Sequence, residues 1–144
     1  MDRARRAAHH WMCCLLVAAL SLLASAGWAE NVVRSEGVDP LSATPVQREQ
    51  AQGRFLKGKE LYDEGKFEEA LAEFMASRGI VASPNARLYR ARCLRELKRY
   101  VEAYTQFGRT MVEALELAKL EVRYARTADA ATRERAELHQ KLSS

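Results

Sequence analysis

The carboxylates best placed for acid–base chemistry stand in one short run, at Glu68, Glu69 and Glu73. Neighbouring carboxylates can act as general acid and general base when their environments differ. Glu69 and Glu73 are four residues apart in a run with helical periodicity, which puts them one turn apart on a face near Lys66. We therefore interpret these residues as solvated surface charges and not as a catalytic pair.

Histidine and cysteine give no stronger indication of catalysis or metal binding. Two of the three histidines, His9 and His10, lie in an N-terminal segment that we expect to be removed, and His139 lies in a polar stretch without an evident catalytic partner. The three cysteines do not have the spacing of a metal site, and glycine is too sparse for a phosphate-binding loop. The sequence predicts a protein that is not an enzyme and that carries no cofactor and no metal.

Cys93 lies between Ala91 and Leu94 in a predicted helix. A free cysteine in such a position is usually a small buried apolar residue, and we interpret Cys93 in this way. The alternative is a disulfide between two copies of the chain, because the exported form would have a single thiol.

Length and composition fit one compact domain. The chain has 144 residues, of which 48% are apolar and 29% are charged, so an extensively disordered protein is excluded. The formal net charge is +4 and falls to +2 without residues 1–29. The basic balance therefore gives no reason to expect a nucleic-acid partner.

Residues 1–29 have the three-part pattern of a secretory signal peptide. Three arginines precede an uncharged run, residues 12–29, that ends in small side chains. We expect cleavage after Ala29, with cleavage after Ala26 as the second choice. The alternative is an uncleaved inner-membrane anchor through residues 12–29, because this run is at the lower length limit for spanning a bilayer.

Residues 30–44 have neither helical nor strand periodicity and contain several turn-forming residues. We expect a flexible, solvated linker here, with a docked strand as the alternative.

From Thr44 onward, apolar residues recur at helical spacing. Thr44-Pro45 and Ser83-Pro84 are start signals that combine a capping side chain with proline, and Gly65 is a stop signal. The pattern predicts four helices, with the fourth extending from Tyr100 to Tyr124 or Arg126, and then a last helix capped by Asp129.

The four predicted helices form two similar halves. When the chain is shifted by 33 residues against itself, small residues match small ones and aromatic residues match aromatic ones. The matches are Gly58 with Ala91, Leu61 with Leu94, Phe67 with Tyr100, Ala70 with Ala103, and Phe74 with Phe107. Each half therefore predicts a helical hairpin in which Gly58 or Ala91 allows close contact with Ala70 or Ala103.

The runs LYDEGKFEEALAEF and RCLRELKRYVEAYTQF resemble tetratricopeptide repeats. The resemblance implies an all-α fold, a short α-solenoid with repeats at about 51–84 and 85–118 in a domain spanning 45–126. Residues 127–144 would then be a capping helix, with a degenerate third repeat or a dimerising helix as the alternatives. The chain is also similar to exported bacterial proteins in which such repeats follow a signal peptide and serve as protein-binding scaffolds, so the periplasm is the expected location.

In such arrays the first helix of each hairpin lines a binding groove. The resemblance therefore assigns partner binding to six residues, Phe55, Lys59, Tyr62, Asn85, Arg92 and Arg95. Residues 78–99 hold seven basic side chains and one acidic side chain, which favours a protein or peptide partner with acidic or C-terminal carboxylate groups. The alternative is that Arg92 and Arg95 pair with Asp63 or Glu64 of the previous repeat.

A second functional hypothesis is a structural role. Two repeats are fewer than the three that usually give a stable array, so the chain could associate as a homodimer or join a larger envelope complex. Contact with a membrane is expected only if the signal segment is not cleaved.

Overall fold

The computed structural model describes residues 36–144. Over this range the chain is all-helical, which confirms the predicted fold class at that level. The predicted signal peptide at 1–29, the alternative anchor at 12–29 and residues 30–35 of the predicted linker lie outside the described residues. The helices are α1 (Pro45–Asp63), α2 (Phe67–Ile80), α3 (Pro84–Glu96), α4 (Tyr100–Ala118) and α5 (Ala125–Ser143), and a 3₁₀ helix (Val122–Tyr124) precedes α5.

The predicted start signals of α1 and α3 are confirmed. The Thr44 side chain accepts a hydrogen bond from the backbone of Gln47, whose own side chain accepts one from the backbone of Thr44. The Ser83 side chain accepts from the backbone of Asn85 at the start of α3. Both starts satisfy backbone amides that the first helical turn leaves without partners.

The two short inter-helix turns, α1–α2 and α3–α4, have the same geometry. Gly65 has a φ of 76°, and Lys98, which lies 33 residues later, has a φ of 61°. Each turn closes with a backbone bond, of 2.9 Å from Lys66 to Leu61 and of 2.8 Å from Arg99 to Leu94. Glycine adopts the left-handed conformation without strain, whereas lysine rarely adopts it. The second turn therefore differs from the first in sequence but has the same backbone geometry.

Successive helices pack side by side in chain order. Neighbouring helices run antiparallel, because residues near the end of one helix contact residues near the start of the next. At one end of the α1–α2 pair, the rings of Tyr62 and Phe67 lie 5.3 Å apart. At the other end, the Ser77 hydroxyl donates a hydrogen bond to the backbone of Ala51. The core contains the fully buried Phe74 and Phe107, again 33 residues apart. A Cβ atom on Gly58 would lie 2.9 Å from the ring of Phe74, so the atoms nearest to Gly58 across this contact belong to Phe74.

The predicted flexible linker is wrong for residues 36–44, which dock on the helical domain. Gly37 donates a backbone hydrogen bond to Arg78, Val38 forms a parallel β-bridge with Val81, and Ala43 is 3% exposed. The backbone of Ile80 leaves no space for a Cβ atom at Gly37. Residues 36–44 show no strand periodicity because they form a single β-bridge, which is too short to produce an alternation of buried and exposed side chains.

The predicted boundary between the fourth and last helices is also wrong. The chain leaves α4 at Ala118 and re-enters a helix at Ala125, whereas the apolar pattern placed the break at residues 127–129. The side chain of Tyr124 is buried and fixes the connection, and Thr127 and Ala128 are buried inside α5. The helix predicted at 127–144 therefore begins earlier and packs more closely than its polar sequence suggested. None of the helices described here is long and apolar enough to cross a membrane.

Candidate functional site

Tyr89 of α3 lies at the centre of an aromatic cluster that joins three helices. Its ring stacks on Phe74 of α2 at 5.1 Å and meets the rings of Phe55 and Tyr62 of α1 edge-on, at 5.3 and 5.9 Å. Phe55, Tyr62 and Tyr89 are each partly exposed. The sequence analysis placed Phe55 and Tyr62 in a groove but missed Tyr89, because its helical spacing indicated only an apolar contact.

Two cations contact the ring of Tyr89. The guanidinium of Arg92 lies 4.7 Å from the ring centre, and the ammonium of Lys59 lies 5.4 Å from it. Four of the six predicted site residues thus meet at one tyrosine, in contacts worth about 0.5–1 kcal/mol each at a partly exposed site. We call the surface that includes these residues and the adjoining side of α5 the α1–α3–α5 face.

Glu134 of α5 occupies the basic part of this face. Its carboxylate accepts hydrogen bonds from Arg92 at 2.6 and 3.0 Å and from Arg95 at 3.0 Å. The alternative that Arg92 and Arg95 pair with Asp63 or Glu64 is therefore wrong, because the carboxylate comes from α5. Burial lowers the pKa of Arg92, but the hydrogen bonds and charge of Glu134 outweigh it and raise that pKa overall.

Asn85, the sixth predicted residue, lies at the other end of the α1–α3–α5 face. Its side-chain oxygen accepts a hydrogen bond from the hydroxyl of Thr127. Here a cavity of about 190 Å³ opens between α1, α3 and the 3₁₀ helix. The cavity combines an apolar wall with two guanidinium groups, and its lining includes Phe55, Asn85, Tyr124, Arg48 and Arg123.

Of the three glutamates first considered for catalysis, Glu68 and Glu69 are exposed as predicted, whereas the side chain of Glu73 is only 13% exposed. The carboxylate of Glu73 accepts from Arg54 and Lys57, and these bonds, above all the one from Lys57, hold the pKa of Glu73 below its usual value. His139 is exposed beside Tyr104. Cys93 is fully buried, and burial raises the pKa of its thiol to about 12, which confirms the interpretation as a core residue.

A buried group of ion pairs was not predicted. Arg78 of α2 and Arg87 of α3 have side chains that are 4% and 7% exposed, and both contact the carboxylates of Glu36 and Glu113. The paired residues lie between 26 and 51 positions apart in sequence, so they carry no periodic signal for such contacts. The group links the docked N-terminal segment to α2, α3 and α4, so its role is structural.

Among residues 36–144, no cluster of histidine, cysteine and acidic side chains could hold a metal ion. Comparisons with protein-family models, with curated proteins and with solved structures give no match for this chain. The α1–α3–α5 face, with its partly exposed aromatic rings and its arginine-bound carboxylate, is thus the candidate site for binding.

Proposed function

We propose that the protein is a non-enzymatic scaffold that is exported to the bacterial cell envelope and binds a partner protein on its α1–α3–α5 face. The proposed architecture is a short α-solenoid of two tetratricopeptide repeats closed by a capping helix. The 33-residue repetition supports it at the level of the backbone, since the turns at Gly65 and Lys98 share their hydrogen bonds. Phe74 and Phe107 are likewise equivalent in sequence and in burial.

The contact between Arg92, Arg95 and Glu134 is the observation that carries the binding proposal. An internal carboxylate already satisfies two guanidinium groups here, in the charge-assisted geometry that also suits an acidic side chain or a chain terminus. A partner must therefore compete with Glu134. The aromatic rings of Phe55, Tyr62 and Tyr89 would hold the apolar part of an extended peptide beside it.

Export rests on the signal-like sequence at residues 1–29, and the periplasm is the proposed location. Anchoring in the inner membrane through residues 12–29 is the alternative. The two differ in a simple way, because both tryptophans, Trp11 and Trp28, precede Ala29. Protein cleaved after Ala29 has no tryptophan fluorescence, whereas an anchored chain keeps it.

Site-specific photocrosslinking in cells tests the binding surface. A photoreactive residue at Gln52, which is exposed at the edge of the α1–α3–α5 face, should crosslink a partner, and the same residue at Glu69, which is exposed on α2 and belongs to neither proposed surface, serves as the control. Lys59→Glu should abolish the crosslink, whereas Lys119→Glu, the same charge change on an exposed residue of another surface, should leave it intact. Equal crosslinking from both positions, or no effect of Lys59→Glu, would contradict the proposal.

The second candidate function is a structural role through self-association. It is favoured by exposed apolar residues on α4, which do not belong to the α1–α3–α5 face.

A further inference from the structure

The outer side of α4 carries an apolar stripe that is exposed among the described residues except at Gly108, beside which the side chain of Arg135 lies. Val101, Val112 and Leu115 are 79%, 58% and 49% exposed. Thr105 and Gly108 lie between them, so that the five positions follow one another at intervals of four, three, four and three residues. This spacing is the heptad pattern by which two helices pack along a shared seam.

A row of charges runs beside the stripe. Glu102, Arg109 and Glu116 are each seven residues apart and all are exposed. Arg109 makes no ion pair with any residue in 36–144, whereas Glu102 pairs with Arg99. Charges in such flanking positions determine which partner a helix accepts and in which direction it runs.

We propose that this face binds a second copy of the chain, with the two α4 helices antiparallel. In the assigned register, Val101 packs on Val112 of the second copy, and Thr105 packs on Gly108 of the second copy. The two-fold axis repeats each contact. At the centre of the seam the second helix also meets Arg135 of α5, whose Nε lies 3.2 Å from the position of a Cβ atom on Gly108.

Charge complementarity selects this register. It brings Glu102 beside Arg109 of the second copy, twice by symmetry. Moving one helix by seven residues would instead set Arg109 against Arg109 and Glu102 against Glu116, and both contacts are repulsive. A parallel pair would place Arg109 beside Tyr104 and Glu116 beside Met111, which provides no ion pair.

The dimer is expected to be weak. A seam of two heptads is shorter than a standard interface, which corresponds to a dissociation constant in about the micromolar range. The proposal does not rest on the binding role of the α1–α3–α5 face, since the two surfaces share no residue.

Sedimentation equilibrium on the full chain, purified as the cell processes it, tests the dimer. Val112→Asp should raise the dissociation constant at least about tenfold, because a charge would be buried in the seam. Val46→Asp is the matched control, since Val46 is 61% exposed on α1 and should have no effect. Circular dichroism establishes that each variant is folded.

Charge exchange tests the register. Glu102→Arg alone and Arg109→Glu alone should each weaken the dimer by about tenfold, because two ion pairs become two repulsions. The double variant should restore most of the affinity. The proposal is overturned if the chain is monomeric up to about 100 times the expected dissociation constant, if Val112→Asp behaves like Val46→Asp, or if the double variant does not recover.

Discussion

Arg92 donates from both Nε and Nη2 to the carboxylate of Glu134, across the boundary between α3 and α5. Arg95 donates to the second oxygen of the same carboxylate. The side chain of Glu134 is 11% exposed, so these bonds are largely shielded from water. The last helix is therefore joined to α3 by polar contacts at the surface proposed for binding, although α5 packs mainly on α4.

Glu134→Gln should lower stability and improve binding of acidic peptides at the same time. Without the negative charge, Arg92 loses its ionic partner and Arg95 keeps only Glu96, which should reduce the free energy of unfolding by about 1–2 kcal/mol. The same guanidinium groups become available, so the affinity for a peptide with a C-terminal carboxylate should increase several-fold. Urea unfolding and peptide titration measure the two effects.

Glu137→Gln is the matched control for that substitution. Glu137 is exposed on the same helix and, like Glu134, lines the shallow depression that contains Arg92 and Arg95, but it makes no ion pair with a described residue. Its replacement should change neither stability nor peptide affinity appreciably. A Glu134→Gln variant that loses stability without gaining affinity would argue against binding at these arginines.

The helices could be predicted because their signals are local. Capping side chains, prolines and helical spacing placed the starts of α1 and α3, and the 33-residue repeat related Phe74 to Phe107, which are both fully buried. The break after α4 could not be predicted in this way. It depends on the burial of Tyr124 against other elements, and this contact leaves no local periodic pattern.

The site could be predicted only in part, for a related reason. The repeat placed Lys59 and Arg92 on one surface, and both contact the ring of Tyr89. The partner of the arginines was missed because Glu134 lies about 40 residues away, in a helix that looked like a polar cap. Ion pairs between residues so far apart in sequence are determined by tertiary packing. They produce no regular spacing by which they could be predicted from a single sequence.

Gly58→Ala should destabilise the protein, although alanine is the better helix former. The new Cβ atom would lie 2.9 Å from the ring of Phe74, which is fully buried and has no free space to move into. We expect a loss of about 1–2 kcal/mol in the free energy of unfolding, after the gain in helix propensity is included.

Gly53→Ala, on the same helix, provides the control for Gly58→Ala. A Cβ atom at Gly53 meets nothing within 4 Å, so the propensity gain of about 0.5–1 kcal/mol should appear undiminished. Thermal unfolding of the two variants should therefore shift in opposite directions. Shifts of the same sign would contradict the close contact between α1 and α2.

Cys93 should resist thiol reagents in the native protein. Its side chain is fully buried, and burial raises its pKa to about 12, so neither access nor the reactive thiolate form is available at neutral pH. Mass spectrometry of the peptide that contains Cys93, after labelling across a urea series, should show modification only where the protein unfolds. Labelling in the absence of urea, or a disulfide-linked dimer through Cys93, would contradict this prediction.

Acid should remove the stabilisation that Glu36 provides. Burial acts to raise the pKa of Glu36, but Arg78 and Arg87 outweigh it and hold that pKa below the usual value for a glutamate. A carboxyl group of this kind stabilises the folded state above its unfolded pKa, and the contribution is lost as the pH falls through its folded pKa. At pH 7, Glu36→Gln should therefore cost about 1 kcal/mol, a figure already reduced because the carboxylate is half-exposed and screened by solvent. The difference from the native protein should shrink below about pH 4 and disappear at lower pH.

Urea unfolding at several pH values measures the difference between Glu36→Gln and the native protein. Glu49→Gln, at an exposed position of α1 without a described ion pair, should give a difference that does not change with pH. If the Glu36→Gln difference is equally independent of pH, Glu36 does not act through its charge, and the docking of residues 36–44 depends on the backbone contacts of Gly37 and Val38 alone.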